Sequence, residues 1–83
     1  MKWHTYALRS VARNYIYVGL TSDLARRVKQ HNNGKEQTTR PYRPFRLILS
    51  EEFDTRAEAW QREVYLKSGV GKEFLKRRET LQL

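Results

Sequence analysis

Between Tyr15 and Gly34 a short apolar run passes directly into a capped amphipathic segment, and this junction constrains the fold more than any other stretch. Residues 15–20 are β-branched and aromatic, which predicts a strand. Alternation puts Ile16, Val18 and Leu20 on one face and Tyr15, Tyr17 and Gly19 on the other, so burying the aliphatic set turns Tyr17 away from that layer. Residues 2–9 read as a partner strand, joined through Val11 to Asn14 as a hairpin. An even-numbered turn places Tyr6 opposite Tyr17 or Gly19 and on their face; an odd one separates the tyrosines. Thr21-Ser22-Asp23 offers N-cap candidates for a helix over 23–32, which Asn32-Asn33-Gly34 ends through a left-handed residue. At about 100° per residue, His31 projects between Leu24 and Val28 with Arg27 four positions earlier on the flank of that stripe, while Arg26, Lys29 and Gln30 face outward.

Residues 35–44 lack apolar periodicity and include two prolines, so they read as a loop, followed by a third strand over 45–53 through Leu47-Ile48-Leu49. Thr55 and Glu58 form a capping box for a helix over 55–68 whose apolar side carries Ala57, Trp60 and Val64, with Glu63 at its edge. Gly69-Val70-Gly71 is expected to break the chain before a short basic helix over 72–79. The order ββαβαα in a single domain, 1–83, implies an α+β fold in which helices cover a small antiparallel sheet. At 83 residues there is room for one thin core. The absence of cysteine excludes a disulfide framework and a thiolate metal cage. No run approaches the roughly 18 apolar residues of a membrane span, and the opening Met-Lys-Trp-His lacks the apolar core of a secretory signal. The reading is a soluble, cytoplasmic protein.

Seventeen Lys and Arg against nine Asp and Glu leave a net charge of +8, with a pI near 10.2. A polyanionic partner is expected. Lys35, Arg40, Arg43 and Arg46 surround one loop, and Lys72, Lys76, Arg77 and Arg78 crowd the last helix, interleaved with Tyr42, Phe45 and Phe74. That pattern favours nucleic acid over a membrane surface, because neither segment has the broad apolar face of an interfacial helix.

Four residue types then stand together: two strand tyrosines, an arginine and a histidine on the first helix, and one carboxylate on the second. Phosphodiester hydrolysis needs an activated water, a cation against the charge developing on phosphate, and usually a divalent metal. Tyr6 or Tyr17 could take the water's proton, Arg27 could brace the phosphate, and Glu63 could hold Mg²⁺ with waters completing its shell. A tyrosine pKa near 10 makes full ionisation cost roughly 3 to 4 kcal/mol, so the base needs help from Arg27, a metal, or proton transfer through His31. Each residue also has a plainer explanation: strand aromatics with solvated hydroxyls, a core histidine, a snorkelling Arg27, and Glu63 paired with Lys67 along the helix.

With these residues in hand, the chain resembles the GIY-YIG nuclease superfamily, in particular small stand-alone members similar to the N-terminal nuclease domain of the excinuclease C subunit. Thr5-Tyr6-Ala7 stands at the first tripeptide and Tyr17-Val18-Gly19 at the second. Asp23-Leu24, Arg27, His31-Asn32 and Gly34 match the first helix and its end, Pro44 precedes the third strand, Glu52-Phe53 closes it, and Arg62-Glu63 with Lys67 matches the second helix. The resemblance implies a three-stranded antiparallel sheet with about three flanking helices and Mg²⁺-dependent (or Mn²⁺-dependent) hydrolysis of DNA phosphodiesters. It implies Tyr6 and Tyr17 at the attacking water, Arg27 on the phosphate, His31 assisting the base, Glu63 on the metal, and Gly19 clearing the backbone for the phosphate. Either tyrosine can be the base; Tyr6 is favoured because His31 could support it. Leu20 stands where several nucleases place a lysine. The expected function is a DNA endonuclease of repair or processing, with Lys35, Arg40, Arg43 and Arg46 contacting nucleic acid. The alternatives are a module of the same fold that binds nucleic acid without cutting it, and a basic protein adaptor. A homodimer or a repair partner stays open.

Overall fold

Strict alternation along the central strand decides how the molecule is layered. The computed structural model describes residues 1–81. In it β1 (Trp3–Ser10) lies between β2 (Ile16–Thr21) and β3 (Phe45–Phe53), antiparallel to both, in the order β2-β1-β3. Helix α1 (Leu24–Asn32) covers one face of this sheet; α2 (Arg56–Lys67) and α3 (Gly69–Leu81) cover the other. The α+β architecture and its ββαβαα order are as the sequence implies, with a single 3₁₀ turn, Arg40–Tyr42, inside the expected loop.

The hairpin has an even connection. Arg9 pairs with Ile16, four residues lie between Ser10 and Tyr15, and Ser10 N donates to Tyr15 O at 2.9 Å. Tyr6 therefore sits opposite Gly19 and both tyrosines share the α1 face. On the opposite face Ala7, Val18, Ile48, Leu49, Leu66 and Leu75 form an aliphatic core. Ile48 and Leu49, though adjacent, both enter that core because the β1–β3 register slips between Ala7 and Leu8, a bulge that leaves the Ile48 carbonyl outside the ladder. Arg78 Nε donates to that carbonyl at 3.2 Å.

Local signals close α1 and open α2 as expected. Asp23 accepts from Arg26 N at 3.2 Å, Gly34 takes a φ of 76°, and the Thr55–Glu58 capping box is complete. Two expectations are corrected. Gly69-Val70-Gly71 does not break the chain; it is the first turn of α3, and the turn between the helices sits at Ser68, whose hydroxyl accepts from Gly71 N at 3.2 Å. Gly71 is required by packing, since a Cβ there would run into the Tyr65 carbonyl and the Leu66 backbone. The second correction concerns α2. Ala57, Trp60 and Val64 point outward, with Trp60 53% and Val64 50% exposed, while Ala59 and Leu66 are fully buried and Arg62 and Glu63 flank them. Thr5 on β1 donates its hydroxyl to the Ala59 carbonyl at 2.6 Å, and this bond helps dock the Ala59 side of α2 on the sheet.

Candidate active site

On the α1 face polar and aromatic side chains share the interior with the aliphatic Leu8, Leu24 and Val28. Tyr6 is fully buried, and its hydroxyl lies 2.9 Å from His31 Nε2. The other nitrogen of His31, Nδ1, lies 2.8 Å from the hydroxyl of Thr39, itself fully buried. Tyr17 stacks at a tilt beside the imidazole, 4.8 Å between ring centroids, and 6.2 Å from the Tyr6 ring. Unlike Tyr6 it is only half-buried, so it is the phenol nearer solvent. Gly19 makes the pair possible: a Cβ would sit 2.7 Å from the Tyr6 hydroxyl and 2.9 Å from the Tyr17 ring. The space above Gly19 is filled by the tyrosines themselves, which is a different reason for glycine from the expected clearance for phosphate.

Arg27 lies one helical turn before His31, as its spacing requires. Its guanidinium donates to Gln30 Oε1 at 3.0 Å and to Glu36 Oε2 at 2.8 Å, while its charge reaches the Tyr6 hydroxyl. Burial, joined by Tyr17, holds the Tyr6 phenol well above its ordinary pKa, and Arg27 only partly offsets this. Burial also depresses His31, with Arg27 adding to the effect and Glu36 opposing it. Near neutral pH the site thus pairs a protonated phenol with a neutral imidazole, a combination in which a proton can pass from oxygen to nitrogen.

Glu63 comes from the other layer. It is on the sheet-facing side of α2 with its side chain 14% exposed, and Lys67 pairs with it at 3.0 Å. Helical geometry puts positions 62 and 63 on opposite flanks of the Ala59–Leu66 line. Arg62 bonds Glu51 on β3 through Nε at 2.7 Å, so Glu63 occupies the flank towards β2, the edge strand that carries Tyr17 and Gly19. Its side-chain partner is Lys67, and among the described residues it has no bond to Arg27 or either phenol. Those residues also contain no cluster of three or more His, Cys, Asp or Glu side chains suited to a metal.

The loop cations divide by duty. Lys35, Arg40, Arg43 and Arg46 are all exposed. Arg40 Nε donates to the Gly34 carbonyl at 2.8 Å, and Arg43 packs over Gly34, so these two also brace the turn after α1. In α3, Lys72 donates to the Ile16 carbonyl at 3.0 Å and is in part a staple between α3 and β2. Thr39 and Glu36 escaped the sequence reading. Nothing in their spacing marks them, because the loop residue that meets a helix side chain is set by how the loop closes.

The sequence profile of the GIY-YIG catalytic domain matches residues 2–78. The UPF0213 protein YazA of Bacillus subtilis is 43% identical over 65 residues, covering 77% of this chain and 66% of that protein. A UPF0213 protein of Cupriavidus necator is 38% identical over 66 residues, covering 78% and 71%. The chain thus spans about two thirds of the length of these relatives. The solution NMR structure of a UPF0213 protein from Bacillus halodurans aligns with a TM-score of 0.56 and 35% identity, over 93% of this chain and 84% of that one. Taken with the two tyrosines, arginine and histidine gathered on one sheet face, these similarities make the chain a member of the GIY-YIG family, in company with small UPF0213 proteins.

Proposed function

We propose that this protein is a divalent-metal-dependent endonuclease that hydrolyses DNA phosphodiesters in repair or processing. The observation that carries the reading is the convergence of Tyr6, Tyr17, His31 and Arg27 on one sheet face of a chain bearing a net charge of +8. Family membership supports nuclease chemistry, and the resemblance suggests the roles of the individual residues. The Arg27 fork binds the non-bridging oxygens of the phosphate, with Lys35, Arg40, Arg43 and Arg46 attracting the flanking backbone.

Tyr6, favoured as the base on sequence, is fully buried, so the two phenols divide the base function. Tyr17, nearer solvent, faces the attacking water; Tyr6, bonded to His31, passes the proton on. As water attacks phosphorus, its proton moves to the Tyr17 oxygen, the Tyr17 proton to the Tyr6 oxygen, and the Tyr6 proton to His31 Nε2. The P–O bond to the leaving group breaks, the leaving oxygen takes its proton from solvent water, the proton on His31 returns to solvent through the tyrosines, and no phenolate need persist. Glu63 is the residue that would hold Mg²⁺ or Mn²⁺. A single carboxylate completed by waters and substrate phosphate is an ordinary shell for Mg²⁺, so the lack of a carboxylate cluster is compatible with it. Such an ion, when bound, supplies neutralising charge at the leaving oxygen.

Incubation with supercoiled plasmid and Mg²⁺ or Mn²⁺ tests the assignment. Nicking is expected, falling by about 10²–10³ or more in both Arg27→Ala and Glu63→Ala proteins that remain folded. Salt-dependent DNA binding with no nicking by the unaltered protein overturns the enzyme in favour of a binding module.

A further inference from the structure

Beyond the tyrosines and Arg27, the His31 imidazole is held by Thr39. Thr39 is fully buried in the turn after α1, with its hydroxyl 2.8 Å from His31 Nδ1 and 3.5 Å from the Glu36 carbonyl. The turn is closed by its own backbone: Thr39 N and Arg40 N both donate to the Glu36 carbonyl, at 3.2 Å and 2.9 Å. One four-residue segment therefore carries the carboxylate that grips Arg27 and the hydroxyl that meets His31.

Hydrogen-bond accounting favours one direction for the chain. A neutral imidazole has one N–H and one lone pair, and a hydroxyl has one proton to give. If Thr39 gives its proton to the Glu36 carbonyl, it accepts from His31 Nδ1–H, and Nε2 is left with a lone pair for the Tyr6 hydroxyl. Every proton then has an acceptor. In the reverse arrangement Nε2–H and the Arg27 guanidinium both turn on the Tyr6 oxygen, and the Tyr6 proton is directed to Tyr17, away from the imidazole. We infer that Thr39 is a positioning residue which holds His31 in the Nδ1–H tautomer, so that Nε2 stands ready to take the proton of Tyr6. The inference deepens the nuclease reading and, for its kinetic consequence, rests on it. The titratable and charged groups facing His31 are Tyr6 from β1, Tyr17 from β2, Arg27 on its own helix and Glu36 from the turn. None of them reaches Nδ1, the nitrogen that Thr39 controls.

The tautomer can be read directly from the ¹⁵N shifts of the His31 ring in the full chain, with no need for cleavage. The Nδ1–H form is expected to dominate in the unaltered protein and in Thr39→Ser, which keeps the hydroxyl. In Thr39→Val, nearly the same size without the hydroxyl, the Nε2–H form should gain at least a comparable population. An Nε2–H tautomer in the unaltered protein, or an unchanged tautomer in a folded Thr39→Val, overturns the inference. If Thr39→Val does not fold, Thr39→Ala takes its place, with the same gain of the Nε2–H form expected and an unchanged tautomer overturning the inference. In the cleavage assay Thr39→Val should lower kcat by about 10–100-fold with KM for DNA within about twofold and a displaced acid limb of the pH profile, whereas Thr39→Ser should stay within about threefold. A drop confined to KM also overturns it. Failure of the unaltered protein to nick DNA defeats the nuclease reading alone, because the ring shifts report on Thr39 either way.

Discussion

The two faces of the sheet share three strands and little else. Towards α2 and α3 the contacts are aliphatic, from Ala7, Val18, Ile48, Leu49, Leu66 and Leu75. Towards α1 the aliphatic Leu8, Leu24 and Val28 are joined by Tyr6, Tyr15, Tyr17, Tyr42, Phe45 and His31, with Arg27 at the margin. Burial of aliphatic area supplies stability without direction. Phenols, an imidazole and a guanidinium are costly to bury unless each polar atom meets a partner, so the α1 face is ordered by directional bonds such as Tyr6–His31–Thr39. A small domain with one core can thus keep its stability on one side of the sheet and its chemistry on the other, because β alternation separates the two sets residue by residue.

Substitutions that strike one face only should break this division if it is wrong. The largest separation is expected between Leu66→Ala and Tyr17→Phe. Loss of the buried Leu66 should cost about 2–5 kcal/mol in denaturant unfolding, a large part of what a domain of this size possesses. Tyr17→Phe, which removes the hydroxyl of a half-buried side chain, should change stability by about 0.5–1.5 kcal/mol or less while lowering plasmid nicking by about 10²-fold or more. Equal loss of stability in both proteins would show that the aromatic face carries the fold as well.

Acid pH should sharpen the contrast more gently. Because burial first, and Arg27 second, depress His31 below its ordinary 6.5, the unfolded chain takes up that proton before the folded one does. This contribution to stability is therefore fully present above the unfolded value and is lost as pH falls from there through the folded value, with a slope of up to about 1.4 kcal/mol per pH unit. Unfolding measured across this window should show the slope in the unaltered protein and a flatter one in His31→Gln; an unchanged slope would place the titration elsewhere. The smallest effect belongs to Glu36→Gln. Its ion pair with Arg27 is about one third exposed on both sides, so stability should change by no more than about 0.5 kcal/mol. Freed of its carboxylate, Arg27 should instead bind DNA more tightly, by about two- to fivefold in a filter or anisotropy titration at constant salt; weaker binding would mean that Glu36 orients the guanidinium rather than competing for it.

Much of this was legible before any coordinates. The strands, the Thr55 cap, a cap within Thr21-Ser22-Asp23, the stop at Gly34 and the facing of Tyr17, Arg27 and His31 follow from local rules, since alternation, 3.6-residue periodicity and capping chemistry act within a few residues, whereas the even hairpin that puts Tyr6 on the same face was decided by the structure. The outward side of α2 was misread because Trp60 and Val64 are apolar and Arg62 and Glu63 are not, yet the Thr5–Ala59 bond and the Arg62–Glu51 pair turn the helix the other way. Gly69 and Gly71 signalled a break, whereas close approach of α3 to the end of α2 is what requires Gly71.

The sequence by itself determined which residues could share a face and which ends of the helices would hold, because those choices depend on backbone geometry that repeats over short distances. Only the tertiary structure decided that the turn at 36–39 closes over α1 to grip both Arg27 and His31, that α2 presents Glu63 beside the edge strand, and that Gly19 is filled by the tyrosines. These are contacts between segments distant along the chain or joined by an irregular loop, and their partners are chosen by how layers dock rather than by any period in the residues.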